Sequence, residues 1–253
     1  MPRLPLVLFI AAAGVLPAKA EEFRSAYTVS FMGLPVARSE FATVVEPDRF
    51  SIEGKLRASG LAKLFDETEG TVMVTGSVSE AGAVAENYRV DYTNGEKKKR
   101  TTISFKVGGV AEAVNEPPLK KRTENWVELT PEHLKSVADP ISATLVRAPS
   151  LGEVCGRTIR VFDGEMRADL ELSPAGQGEW NDRPTVTCRA RFVPVAGYRT
   201  NRKALDYLAK KSRIEIEFTA LGETGLYAPV GASVGTRLGT VTIEAEALDA
   251  AGN

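Results

Sequence analysis

Apolar side chains recur at every second position along most of this chain, and no other feature constrains its fold as strongly. A period of two places successive residues on opposite faces of an extended strand, whereas a helix needs a period of about 3.6. Tyr27, Val29 and Phe31 form one such face. Related patterns predict further strands at residues 41–43, 50–56, 71–78, 88–92, 101–107, 158–162, 166–172, 186–193, 214–218 and 241–243. Short turns, including the hairpin-forming Asn94-Gly95 pair, predict an antiparallel meander.

Three short stretches interrupt the strands with signals of helix starts. A capping residue followed by proline occurs at Thr130-Pro131 and again at Asp139-Pro140, and Asn201 precedes a short amphipathic segment. No low-complexity linker divides the chain, so we expect residues 21–253 to form a single domain. We therefore predict a mainly β protein with a single strongly curved antiparallel sheet, a half-open or spiral β-barrel, and a few short helices on or inside it.

The first twenty residues have the features of a cleavable signal peptide. Arg3 gives a cationic start, residues 4–16 carry no charge, and Ala18 and Ala20 match the small-x-small pattern before a signal-peptidase site. Crossing a bilayer takes roughly 20 apolar residues, so the apolar stretch is too short for an anchor. The sequence predicts cleavage before Glu21 and a periplasmic mature protein that does not span the membrane.

Cys155 and Cys188 are the only cysteines. In an exported protein a single pair is most simply one disulfide. Both flanks have strand patterns, whereas a redox-active pair is typically spaced Cys-x-x-Cys at a helix start. We expect a structural disulfide between them.

Composition and charge argue against several classes of function. The chain has 32 Lys+Arg and 33 Asp+Glu, and its net charge of −1 argues against nucleic acid as the main partner. His133 is the only histidine, early in a predicted helix, where an exposed or capping role is expected. Asp66, Glu67 and Glu69 lack the spacing of a calcium loop and predict a solvated turn. We predict no catalytic residues, no metal and no cofactor.

Two runs of basic residues, Lys97–Arg100 and Lys120–Arg122, stand out against the neutral balance. Basic residues at strand edges commonly discourage aggregation through those edges. A patch that binds phosphate or a lipid headgroup is the alternative interpretation of both runs.

Arg189 and Arg191 lie two residues apart on a predicted strand and therefore share one face. Such a pair is suited to an anionic ligand or partner. Ion pairs with Glu215 or Glu217 are the alternative explanation.

Several longer stretches resemble one known family. They are residues 155–164, 188–198 and 227–232, together with the strand at 27–31 and the turn at 33–35. On these stretches, nearly all of the chain after the signal peptide resembles the alphaproteobacterial branch of domain-of-unknown-function family 3108. The resemblance implies an exported protein of Gram-negative bacteria without an assigned reaction, and it supplies no catalytic residues. A looser architectural similarity to spiral β-sheet envelope-integrity proteins and lipoprotein carriers implies a curved sheet with an apolar concavity.

The predicted curved sheet and the signal peptide favour a binding protein. The helix at residues 201–211 is expected to cover the concavity, with Leu205 and Leu208 pointing inwards. The other candidate ligand-binding residues are Tyr198, Arg199, Arg202 and Tyr207. We predict a monomeric, non-enzymatic protein that binds a lipid, a lipoprotein or another apolar or amphiphilic envelope component and supports cell-envelope maintenance. A scaffold without a small ligand and a carboxylate-dependent hydrolase are the second and third hypotheses.

Overall fold

The structure is a computed structural model that describes residues 20–59, 68–80, 82–120 and 124–251. The strands are β1 (Glu21–Phe31), β2 (Leu34–Val45), β3 (Arg49–Ala58), β4 (Glu69–Ser79), β5 (Gly82–Asn94), β6 (Lys97–Lys106), β7 (Gly109–Glu116), β8 (Trp126–Val127), β9 (Val146–Arg147), β10 (Thr158–Phe162), β11 (Arg167–Trp180), β12 (Arg183–Ala196), β13 (Tyr198–Arg199), β14 (Ile214–Ala220), β15 (Leu226–Gly235) and β16 (Thr240–Ala250). The helices are α1 (Lys203–Lys210) and the 3₁₀ helices Pro131–Leu134, Ser142–Thr144 and Leu151–Glu153.

Some of the predictions fall outside the described residues. Residues 1–19 of the predicted signal peptide lie there, so the cleavage before Glu21 stays a prediction. Asp66 and Glu67 of the acidic turn, and residues 121–122 of the second basic run, also lie there.

One antiparallel sheet contains nearly all of the strands. Its path runs β10-β11-β12-β14-β15-β16-β1-β2-β3-β4-β5-β6-β7, with β9 added beside β15, while β8 and β13 pair separately. The first and last strands, β1 and β16, are neighbours in the middle of this path. The two end strands, β7 and β10, do not pair with each other, so the barrel is half-open. The predicted fold class, a mainly β protein with a single antiparallel sheet and few helices, is confirmed.

The sheet curves strongly enough for distant strands to share one core. Ile103 of β6 and Leu226 of β15 belong to the same buried cluster, although six strands lie between β6 and β15 in the sheet. Alternation explains this core, because each strand contributes every second side chain to the inner face. Phe50, Ile52 and Val74 are among the buried residues that β3 and β4 contribute.

The inside of the curve is filled by the chain between β8 and β9. Its apolar side chains pack on the inner face of the sheet, namely Leu129, Leu134, Val137, Ile141 and Leu145. Leu205 and Leu208 of α1 are not members of this buried cluster. The prediction that α1 covers an apolar concavity is therefore corrected: the segment between β8 and β9 occupies the interior, and α1 lies against β12.

The same segment bridges the two end strands through its backbone. The Ser136 N–H donates to the Gly108 carbonyl at 3.0 Å, beside β7. The Ala138 N–H donates to the Arg160 carbonyl of β10, and the Phe162 N–H donates back to the Ala138 carbonyl, each at 2.9 Å. Residues 135–138 therefore join β7 to β10 where the sheet itself does not close.

Asn115 makes a second connection between the two ends of the sheet. Its side-chain amide donates to the Gly164 carbonyl, in the turn between β10 and β11, at 3.0 Å. Its carbonyl oxygen accepts a hydrogen bond from the Thr101 hydroxyl of β6 at 2.7 Å. Because these groups are partly buried, each bond stabilises the closure by an amount typical of protein hydrogen bonds.

Asn115→Ala is expected to lower the free energy of unfolding by about 1–2 kcal/mol, because it removes two hydrogen bonds. Urea denaturation followed by circular dichroism measures the loss. The matched control is Val114→Ala, which truncates the neighbouring exposed side chain of β7 and is expected to cost about 0.5 kcal/mol or less. Equal losses in the two variants would show that Asn115 has no special part in the closure.

The predicted disulfide between Cys155 and Cys188 is present, with a Cα–Cα distance of 5.5 Å. It joins the chain just after the 3₁₀ helix Leu151–Glu153 to the middle of β12. Both cysteines are buried in a second apolar cluster, together with Val154 and Phe218. The bridge therefore fixes the segment that precedes β10 onto the inner face of the sheet.

Candidate functional site

The candidate site is a groove between α1 and strands β11 and β12, which we call the helix groove; its volume is about 490 Å³. The helix is amphipathic, with Leu205 and Leu208 three residues apart and half-buried, and Lys203 and Lys210 exposed. None of its residues is fully buried, so α1 lies on the edge of the fold without entering the core. Its N-cap is Arg202, which corrects the prediction that Asn201 caps the helix.

The lining of the helix groove combines apolar and cationic side chains. The apolar ones are Leu172, Ala190, Phe192, Leu208 and Ala209. The charged and polar ones are Glu171, Ser173, Arg189, Arg191, Lys210 and Ser212. Such a lining matches a ligand with an apolar part and a negatively charged part.

Acidic partners hold Arg191 firmly, but they hold the other two cations of the helix groove only loosely. Arg191 donates to Glu171 Oε2 through Nε at 2.8 Å and through Nη2 at 2.5 Å, on the exposed face of the sheet. Arg189 lies 4.0 Å from Glu215, which confirms the ion pair expected between those residues, although at the limit of contact. Lys210 lies 3.9 Å from Asp206 of its own helix. Exposed pairs at such distances hold their partners weakly, so Arg189 and Lys210 remain able to bind an external anion.

The structure brings only one of the predicted ligand-binding residues into this groove. Leu208 lines it, whereas Leu205 and Tyr207 are half-buried elsewhere on α1, and the exposed Arg202 stands at the N-cap. Tyr198 and Arg199 form β13, which pairs with Val127 and Trp126 of β8.

Sequence reasoning missed Leu172 and Phe192 as lining residues. Both lie on the inner-facing positions of their strands, where alternation predicts core packing. Arg189 and Arg191 were singled out as a pair, but nothing in the sequence placed them beside α1.

A larger groove of about 660 Å³ lies across β3 to β7, and it includes Lys98, Lys99 and Arg100 of the first basic run. Its carboxylates are tightly engaged: Asp91 accepts hydrogen bonds from Arg89 and Arg100, each at 2.6 Å. These bonds, that from Arg89 first, hold the pKa of Asp91 below its usual range. Of its cations, Arg100 is paired with Asp91 and Glu116, whereas Lys55, Arg57, Lys98 and Lys99 take part in no ion pair within the described residues. Its apolar lining is limited to Leu56, Tyr92 and Pro117, so it suits an amphiphile less well than the helix groove.

The buried carboxylate of Asp139 is held by neighbouring donors of its own segment. Its Oδ1 accepts hydrogen bonds from the backbone N–H groups of Ile141 and Ser142 at 2.8 and 2.9 Å, and its Oδ2 accepts one from the Ser142 hydroxyl. Asp139 is fully buried, and burial raises its pKa, while the bonds from Ser142 and Ile141 oppose the shift. The N-cap of the 3₁₀ helix that follows is Ile141, so this helix begins later than the Asp139-Pro140 pattern predicted, but the Asp139 carboxylate still accepts hydrogen bonds from the N–H groups at its start.

His133 also has a local partner, because the Thr130 N–H donates to its Nδ1 at 3.2 Å, in agreement with the expected capping role. Among the described residues, no group of three His, Cys, Asp or Glu side chains is placed to hold a metal ion. In the same part of the chain, no helix combines the length and the apolar character that a membrane span requires.

The open, curved sheet places this molecule among β-barrel-like proteins. A solved structure described as a beta-barrel-like protein of domain of unknown function DUF1849 from Brucella abortus has a TM-score of 0.52 and 8% sequence identity, over 92% of this chain and 99% of that chain. The chain belongs to the family described as protein of unknown function (DUF3108), which it matches over residues 26–246. The family resemblance in the sequence is therefore confirmed.

A second solved structure, the hypothetical protein CT021 from Chlamydia trachomatis, has 12% identity over 93% of this chain and 88% of that chain. Its TM-score of 0.33 is too low to support any conclusion about this protein. The comparison with curated proteins found no match.

Proposed function

We propose that this protein is a non-enzymatic periplasmic binding protein that holds an anionic amphiphile of the cell envelope in the helix groove. The observation that carries the proposal is the lining itself, in which the apolar Phe192 and Leu208 lie beside Arg189, Arg191 and Lys210. The role is maintenance of the cell envelope by carrying or retaining this amphiphile.

The groove lining suggests how such a ligand binds. An alkyl chain packs against Phe192 and Leu208, and each methylene that leaves water stabilises the complex by about 0.8 kcal/mol. The negatively charged headgroup lies towards Arg189 and Lys210, which exchange their weak exposed ion pairs at 4.0 and 3.9 Å for it, while Arg191 keeps its bonds to Glu171. Binding requires no covalent step and no cofactor.

The test is the binding of dansylundecanoic acid, a fluorescent fatty acid, to the purified mature protein. Leu208→Asp is expected to weaken binding at least tenfold, because it removes an apolar contact and places a carboxylate beside the anionic headgroup. The dissociation constant is measured from the rise in dansyl fluorescence.

The matched control for this test is Val107→Asp, which introduces the same charge at a fully exposed residue in the turn between β6 and β7. Its affinity is expected to equal that of the wild type. The proposal fails if the wild-type protein does not bind the probe, or if Leu208→Asp binds it as tightly as the control does. Mass spectrometry of protein purified from its own periplasm identifies the natural ligand.

A scaffold that recognises a protein partner is the second candidate, and the edge of β7 is the observation in its favour. Within the described residues, positions 110–116 of β7 pair with β6 on one side only. An open edge of this kind binds extended peptides by adding a strand. Cross-linking in cells distinguishes the two candidates, because a stoichiometric protein partner together with an empty helix groove would favour the scaffold.

A further inference from the structure

We infer that this protein docks on an anionic phospholipid bilayer through the tips of two adjacent hairpins. We call this the turn surface, and define it by the apolar Met32, Leu34 and Leu238 and the cationic Lys211, Arg213 and Arg237. The inference goes beyond the proposed ligand and does not rest on it, because the turn surface and the lining of the helix groove have no residue in common.

The apolar residues of the turn surface are unusually exposed. Met32, Leu34 and Leu238 are 66%, 62% and 80% exposed, in a protein whose other apolar side chains mostly face the core. Met32 and Leu34 flank Gly33 in the turn between β1 and β2, and Leu238 lies in the turn between β15 and β16. Turns normally carry polar residues, and a cluster of large apolar side chains at their tips marks a site of interaction.

These two turns form one continuous patch. The Met32 N–H donates to the Thr240 carbonyl at 2.9 Å, which joins the first turn to the start of β16. Gly239 lies directly under the Met32 side chain, since a Cβ built at Gly239 would come within 2.5 Å of Met32 Cγ. Met32 and Leu238 are therefore held on the same surface although they are far apart in sequence.

Basic residues stand immediately beside this apolar patch. The Gly235 N–H donates to the Arg213 carbonyl at 2.9 Å, and the Ser212 hydroxyl donates to the Gly235 carbonyl at 2.6 Å, so residues 211–213 lie against the end of β15. Lys211 and Arg237 are exposed, and neither takes part in an ion pair within the described residues. Arg213 is exposed and pairs with Glu215 at 2.8 Å.

Strand direction places further cations at the same end of the barrel. The antiparallel path brings the turns at 32–33, 95–96 and 236–239 and helix α1 to one end of the strands. Exposed cations at this end, besides those of the turn surface, are Arg202, Lys203, Lys210, Lys97 and Lys98. Exposed acidic residues at this end include Glu96, Asp163 and Asp206. The turns at the opposite end carry exposed acidic residues, namely Glu46, Asp48, Glu80, Asp182 and Glu223, and the exposed cations beside them include Arg49, Lys106 and Lys135.

This asymmetry identifies the partner as an anionic bilayer. Apolar side chains that project from turns insert at the boundary between headgroups and acyl chains, and Lys and Arg beside them are attracted to anionic headgroups. The acidic turns at the far end would be repelled if they faced the same surface, so the molecule docks with its strands directed away from the membrane. A protein partner would need a complementary acidic and apolar surface, and vesicles without protein distinguish the two.

The test is flotation of the mature protein with vesicles of phosphatidylcholine alone or of phosphatidylcholine with 30 mol% phosphatidylglycerol, a composition of about one anionic lipid in three. We expect binding to the anionic vesicles, and at least a tenfold loss of partitioning in the triple variant Met32→Ser, Leu34→Ser, Leu238→Ser. The double variant Lys211→Gln, Arg237→Gln is expected to bind more weakly than the wild type and to show a smaller dependence on salt. Val107→Ser, an exposed apolar residue at the opposite end, is the matched control and is expected to bind as the wild type does.

Two results would overturn the inference: wild-type protein that does not float with anionic vesicles, or a triple variant that floats as well as Val107→Ser. Leu238→Trp gives an independent measurement, because the indole emission must shift to shorter wavelength when the turn enters the bilayer. The two proposals can be tested separately, because the helix groove is unchanged in the triple variant. The triple variant is therefore expected to bind dansylundecanoic acid as the wild type does, whether or not it docks on vesicles.

Discussion

Replacing Cys155 and Cys188 together by alanine is expected to lower the free energy of unfolding by about 3.7 kcal/mol, the chain-entropy value for a loop of 33 residues. The disulfide also cross-links the unfolded chain. Its removal therefore destabilises the folded protein chiefly by increasing the conformational entropy of the unfolded chain. Both sulfurs are buried among apolar side chains, and alanine at these positions leaves no polar group unpaired. Urea denaturation at neutral pH measures the difference between the variant and the oxidised wild type.

Reduced wild-type protein is the control for the loss of side-chain volume. We compare the free energies of unfolding of the wild type and the double alanine variant under both conditions. The difference is expected to be much smaller with reductant present than under oxidising conditions. Thiol alkylation of the urea-unfolded protein without reductant gives a separate check, because a bridged pair does not react even when the chain is unfolded. A variant as stable as the oxidised wild type would show that the bridge has no stabilising role.

Asp139→Ala is expected to cost about 3 kcal/mol, because it leaves buried donors without an acceptor. The backbone N–H groups of Ile141 and Ser142, and the Ser142 hydroxyl, all donate to the Asp139 carboxylate. The residue lies in the segment between β8 and β9 that fills the interior, so the loss also loosens the packing of Ile141 and Leu145. Chemical denaturation measures the loss in free energy of unfolding. Asp139→Asn keeps one acceptor oxygen and is expected to lose less stability than Asp139→Ala.

The pH dependence of the wild type and of Asp139→Asn gives a second, independent measurement. Burial raises the pKa of Asp139 above its usual 3.8, so the folded protein binds the proton more tightly than the unfolded chain does. The contribution of this group to stability is therefore fully present below pH 3.8 and is lost as the pH rises through the raised pKa of the folded state. Asparagine does not titrate, so the stability of Asp139→Asn relative to wild type should increase from acidic to neutral pH. A constant difference would contradict the raised pKa.

The sequence predicted most of the sheet because alternation is a local signal. The strands that it missed are β7, the two-residue strands β8, β9 and β13, and β15, and it predicted β11 only as far as residue 172. Pro229 interrupts β15, where the pairing with β14 shifts register between Glu217 and Phe218, and β11 has a similar shift between Pro174 and Gly176. Such irregularities accommodate proline and glycine within a sheet, but they hide the period of two.

The candidate site was less predictable because its parts come from different regions of the chain. Leu208 was recognised from the amphipathic pattern of α1, yet its partners Leu172 and Phe192 had the pattern of ordinary core residues. The turn surface was even less predictable from the sequence, because only the pairing of β1 with β16 brings Met32 beside Leu238. The disulfide was predicted because it needed only two cysteines and no knowledge of packing.

The pairing of the first strand with the last has a consequence for the order of assembly. β1 to β7 each pair with a neighbouring strand along the chain, whereas the pairing of β1 with β16 joins segments about 200 residues apart, which costs more loop-closure entropy. Within the first half of the sheet, the pairing of β1 with β16 is therefore expected to form after the pairings among β1 to β7. Until β16 is available, the edge of β1 that faces it in the finished sheet stays unpaired.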